Sequence, residues 1–121
     1  MKVKDTISTD SGMKILITQE GKGPVPKKGQ HVVCHYKGYL EDGTVFDSSH
    51  DRQMHFSFKV GLGQVIPGWD EAFTTLPVGT HATLIIPPNL GYGERAMGKI
   101  PANSILIFEI EVSSIEETAN A

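Results

Sequence analysis

Apolar residues recur at every second position in most of this chain and at helical spacing in one place only, which commits it to a sheet carrying a single short helix. Met13, Ile15 and Ile17 alternate after an Asp10-Ser11-Gly12 turn, and Val32, Cys34, Tyr36 and Leu40 form one face of a long strand with His31, His35 and Lys37 on the other. Phe56, Phe58 and Val60 alternate next, then Ala82, Leu84 and Ile86, then Leu106, Phe108, Ile110 and Val112. Glu41-Asp42-Gly43-Thr44 is a hairpin signal leading into Val45-Phe46. The helix begins at Val65-Ile66-Pro67-Gly68-Trp69: Trp69, Ala72, Phe73 and Leu76 share a face, Pro67 suits the first turn, and Pro77 and Gly79 end it. The expected fold is α+β, an antiparallel sheet of about five to six strands curved around one short α-helix.

At 121 residues the chain is long enough for one core and too short for two. The expectation is one domain over residues 1–115, with Glu116–Ala121 a flexible tail. A net charge of −3 without any Lys/Arg run argues against nucleic acid or an anionic membrane as partner. The start of the chain is polar, and no stretch reaches transmembrane length. The single cysteine excludes an internal disulfide and fits a cytoplasmic setting; its strand parity makes Cys34 a core residue rather than a reactive thiol. Nothing indicates more than a monomer.

Gly21–Gln30 and Pro87–Asn103 are rich in glycine and proline and read as loops. The second is long for a compact domain, which points to function. Within it Tyr92 stands between Gly91 and Gly93, where close backbone approach lets the hydroxyl face either a cavity or solvent. Tyr36, Phe46, Phe56, Phe58, Trp69 and Phe108 are each explained by packing, with Tyr92 the exception, yet together the seven exceed what a small sheet needs. Asp47 ends a strand with Arg52 in loop reach, which fits a structural ion pair and equally a carboxylate on a pocket rim. Trp69, likewise, is either the centre of a core or the floor of a pocket.

Hydrolytic and metal chemistry find little support. Ser48 and Ser49 lack a nucleophile elbow. His31 and His35 share a strand face but stand about 13 Å apart at strand rise, too far for one ion. No phosphate loop or dinucleotide fingerprint is present, and no cofactor or metal is expected.

Five blocks resemble, in order, the FKBP-type peptidyl-prolyl isomerases, the rapamycin-binding immunophilins. They are Val33–Gly38, Gly43–Ser49, Val65–Trp69, Leu90–Gly93 and Ile100–Glu109, within a span from Gly29 to Ile115. The resemblance implies a pocket with Trp69 as floor, Tyr36, Phe56 and Phe108 as walls, and Phe46, Val65, Ile66 and Ile100 completing the lining. It implies that the Ile66 N–H and the Tyr92 hydroxyl bind ligand carbonyls, and that Asp47, braced by Arg52, accepts a hydrogen bond. Asp47, Tyr92, Trp69 and Phe108 would carry catalysis. The implied partners are proline-containing peptides, folding proteins, and tacrolimus- or rapamycin-type macrolides. The rival reading is a proline-docking module that regulates a partner without turnover.

The chain departs from the family pattern in two places. Between Tyr92 and Pro101 it is one residue shorter than the short cytosolic members, with Glu94-Arg95-Ala96-Met97-Gly98-Lys99 in place of a more apolar stretch. His55 stands where proline is often found. The family's inserted chaperone flap, helical-repeat tail and His-rich tail have no counterpart in this sequence.

Overall fold

The computed structural model describes residues 3–49 and 55–116. Seven strands make one antiparallel sheet: β1 (Asp5–Ser8), β2 (Lys14–Gln19), β3 (His31–Leu40), β4 (Val45–Ser48), β5 (Phe56–Lys59), β6 (His81–Ile86) and β7 (Leu106–Glu116). Their spatial order is β1-β2-β6-β7-β3-β4, with β5 also paired to β3. The strand that alternation did not reveal is β1. Its residues are mostly exposed, so no apolar period marks it, and it is held by pairing with β2 from Asp5↔Ile17 to Ser8↔Lys14. Glu116, expected in the tail, is instead the last residue of β7 and pairs with His31; the rest of that tail lies outside the described residues.

Strand β3 organises the molecule. Along one side it pairs with β7 over ten residues; along the other it pairs with β5 through His31–Cys34 and with β4 through Lys37–Tyr39. Where those two partners change over, Ser49 fastens the chain to Tyr36. Its amide donates to the Tyr36 carbonyl at 2.9 Å, and its hydroxyl accepts the Tyr36 N–H at 2.8 Å. The hydroxyl dismissed as a nucleophile is therefore a fully buried structural link.

The helix α1 (Pro67–Phe73) lies across the apolar face and buries Trp69, Ala72 and Phe73. It is shorter than the apolar spacing implies, stopping before Leu76. The Thr74 and Thr75 hydroxyls donate to the Asp70 and Glu71 carbonyls, both at 2.8 Å, and satisfy the groups a continuing helix would have used. Gly68 sets its height: a Cβ there would come within 2.9 Å of Ile86 on β6, so the missing side chain lets the helix settle onto the sheet. The Asp70 carboxylate accepts the Gly61 and Gly63 amides at 2.8 and 3.0 Å, tying the helix to the β5–α1 connection.

With Phe73 of the helix, Met13, Ile15, Val32, Leu76, Leu84, Ile86, Leu106 and Val112 are fully or almost fully buried in the core. Cys34 is among the core residues, as its parity implies, and burial pushes its thiol up to about 12.

Candidate active site

The cavity forms because three elements present aromatic rings toward one end of α1. Trp69 enters from the first turn of the helix, Tyr36 from the middle of β3, Phe56 from the start of β5, and Phe108 from β7. The Trp69 centroid stands 5.0 Å from Tyr36, 5.2 Å from Phe108 and 5.8 Å from Phe56, each edge-to-face. Such crossings favour ring quadrupoles and stiffen the cluster. Behind it, Phe58 and Phe73 lie 5.8 and 5.3 Å from the same ring. Trp69 is thus both a core residue and the cavity floor. Its indole N–H is buried and has no acceptor among the described residues, so packing holds the ring in place.

The cavity measures about 700 Å³, within the range of small-ligand sites. Tyr36, Phe46, Asp47, Phe56, Val65, Ile66, Trp69, Tyr92, Ile100 and Phe108, the residues named from the family resemblance, all border this cavity. Arg52 lies outside the described residues.

Polar atoms are few and fixed. The Tyr36 hydroxyl donates to Asp47 Oδ2, and Asp47 Oδ1 accepts the Ser48 amide at 2.9 Å. The Ile66 N–H has no acceptor among the described residues, whereas the Ile66 carbonyl accepts the Trp69 and Asp70 amides that begin the helix.

Tyr92 is positioned by a loop with more order than its composition implies. A 3₁₀ turn spans Pro88–Leu90; the Gly93 amide donates to the Pro88 carbonyl at 2.9 Å, and the Asn103 amide to the Gly93 carbonyl at 2.7 Å. Asn103 adopts a positive φ of 58°, which asparagine tolerates better than most residues.

Five cavity residues escape sequence reasoning: His55, Gln64, Met97, Gly98 and Lys99. All come from connections, where no periodicity exists to mark them. The two departures from the family pattern, at His55 and over Glu94–Lys99, are the signals that could have found four of them. Gly38 also acts on the site without lining it. A Cβ there would stand 2.7 Å from both the Phe46 and Phe108 rings, so its absence makes room for their edge-to-face pair, 5.4 Å between centroids. A lone glycine inside a strand is the sequence sign of such close approach.

Among the described residues no group of three or more His, Cys, Asp or Glu could hold a metal ion.

The architecture is thus an antiparallel sheet carrying one helix, with an aromatic cavity at the helix start. Residues 23–113 match the family described as FKBP-type peptidyl-prolyl cis-trans isomerase, and the chain belongs to that family. It is 50% identical over 102 residues to FK506-binding protein 1 of Dictyostelium discoideum, covering 84% of this chain and 95% of that protein. It is 47% identical over 107 residues to peptidyl-prolyl cis-trans isomerase Fkbp12 of Drosophila melanogaster, covering 87% and 99%. Other relatives are longer: the chain spans 41% of the isomerase FkpA of Aeromonas hydrophila, at 45% identity over 93% of its own length. The crystal structure of AtFKBP13 superposes with a TM-score of 0.88 at 37% identity, over 93% of this chain and 99% of that one.

Proposed function

We propose that this cavity isomerises X–Pro peptide bonds by receiving the prolyl ring over Trp69 and taking the adjoining amide out of water. The planar amide is held by resonance behind a barrier of about 18–20 kcal/mol. Its uncatalysed rotation takes tens of seconds or more. The resonance form is charge-separated and the twisted state less so, so a water-excluding aromatic site disfavours the former more. Each ~1.4 kcal/mol of that difference is worth tenfold in rate. In this reading the Ile66 N–H and the Tyr92 hydroxyl bind the flanking carbonyls and fix orientation. Asp47 accepts at the rim, Phe108 forms the wall opposite Phe56, and Val65, Ile100 and Phe46 exclude water.

The observation that carries this reading is the ring set itself. Four rings meet edge-to-face around a largely apolar cavity whose Asp47 carboxylate is already hydrogen-bonded to Tyr36. No nucleophile, acid or metal is required by bond rotation. FK506 (tacrolimus), which relatives' names such as FK506-binding protein 1 record, would occupy the same space, as would macrolides of the rapamycin type. We read the protein as a monomer of the cytoplasm; its single cysteine, Cys34, free and buried, fits a reducing compartment.

Exchange spectroscopy on a Leu-Pro peptide tests the reading. Catalytic protein should accelerate cis/trans exchange, and rapamycin should abolish the effect. Binding of the peptide without acceleration at stoichiometric protein would make the site a docking module instead.

A further inference from the structure

Among the described residues lining the cavity Lys99 is the one lysine, and a doubly hydrogen-bonded turn in the Pro87–Asn103 connection holds it there. Met97 and Ile100 exchange both backbone hydrogen bonds at 2.8 Å, closing a turn whose two central residues are Gly98 and Lys99. Gly98 takes a φ of 56°, the left-handed geometry a turn of this length needs and a residue without Cβ supplies freely. Ile100 is then anchored in the core at 6% exposure, which leaves Lys99 at the tip, exposed and bordering the cavity.

Lys99 has no ion pair or hydrogen bond with any described residue. It is also the only Lys or Arg among the described residues that line the cavity. Among the described residues the one carboxylate lining it, Asp47, is already engaged by the Tyr36 hydroxyl and the Ser48 amide. An ammonium bordering an apolar cavity, with no acid among the described residues paired to it, is complementary to an acid brought by the ligand.

We infer that Lys99 is a specificity-determining residue that favours peptides with an acidic side chain next to the proline. This rests on the isomerase reading above. A prolyl ring seated on Trp69 leaves its neighbours at the rim, where a Glu or Asp could reach the Lys99 ammonium. Because the contact is solvent-exposed, the expected preference is modest, about two- to five-fold. It should also weaken with salt, since the Debye length falls from about 10 Å at 0.1 M to about 3 Å at 1 M.

The experiment compares catalysed exchange by NMR in three peptides, with Leu-Pro-Leu, Glu-Pro-Leu and Leu-Pro-Glu cores, using wild type, Lys99→Gln and Lys99→Glu. The readout is kcat/KM for each acidic peptide divided by that for the neutral one. At low salt the wild-type ratio should exceed that of Lys99→Gln by about two- to five-fold for at least one acidic peptide, and Lys99→Glu should bring it lower still. Adding 1 M salt should bring the three proteins together. Ratios that do not differ among the proteins for either acidic peptide would overturn the inference while the isomerase reading stands. No catalysis of the neutral peptide by wild type would instead remove the isomerase reading.

Discussion

The Tyr36 hydroxyl on β3 donates to the Asp47 carboxylate on β4, diagonally across the hairpin, since Asp47 itself is registered with Gly38. The bond joins a wall of the cavity to its acidic rim, so neither side chain can reorient alone. Asp47→Asn keeps the shape but weakens the acceptor, and Tyr36→Phe removes the donor. Each should lower kcat/KM by about tenfold, the order expected for a hydrogen bond to a charged group. Asp47→Val should do no less. If it isomerises Leu-Pro peptides at the wild-type rate, the carboxylate has no part in the reaction.

Gly38 makes a sharper prediction because it touches no ligand. Gly38→Ala places a methyl 2.7 Å from the Phe46 and Phe108 rings, and one of them must move. Overpacking of this kind costs about 1–3 kcal/mol. Denaturant unfolding should report that loss, and macrolide affinity should fall with it because both rings line the cavity.

Trp69 is the only tryptophan, so its emission reports on the floor of the cavity alone. Titration with rapamycin should change it. Trp69→Leu should lower both stability, by about 3 kcal/mol, and ligand affinity. Val112→Ala, in the core away from the cavity, should cost about 2 kcal/mol of stability and leave affinity alone. Equal effects of the two variants on binding would mean that the cavity has no floor separate from the core.

Cys34 supplies a pH prediction. Its thiol rises from an ordinary 9.0 to about 12 because burial opposes the thiolate. The native state therefore holds a proton that the unfolded chain releases between those values. The associated stability is present in full below about pH 9 and is lost as pH rises toward 12. Tyr39, pushed above its usual 10.0 by burial and by Glu109, adds in the same direction. Native protein at pH 8 should react with a thiol reagent only as fast as it unfolds.

What could be read in the sequence divides by physical cause. Strand parity identified the faces bearing Tyr36, Phe56 and Phe108, because alternation is a local property of a sheet with one buried face. It could not decide whether Trp69 was core or floor. The structure makes it both, and that depends on which rings arrive from β3, β5 and β7, a matter of register rather than pattern. The strand β1 was invisible because one partly buried residue, Ile7, makes no apolar period, and pairing with β2 supplies most of its hold. Ser49 read as an unused hydroxyl, since its partner Tyr36 is thirteen residues away. His55, Gln64 and Lys99 were missed as lining residues because connections carry no period, and the arrangement of the ten residues found came from family resemblance.

The position of Trp69, with Phe58 and Phe73 behind it and Tyr36, Phe56 and Phe108 in front, has an evolutionary corollary. Selection for a folded chain is already selection for an intact cavity floor, because the ring cannot be discarded without opening the core. The Met97–Ile100 turn is under no such obligation, since Gly98 and Lys99 are exposed at its tip. A side chain changed at the tip position of Lys99 would therefore alter what borders the cavity without disturbing its floor.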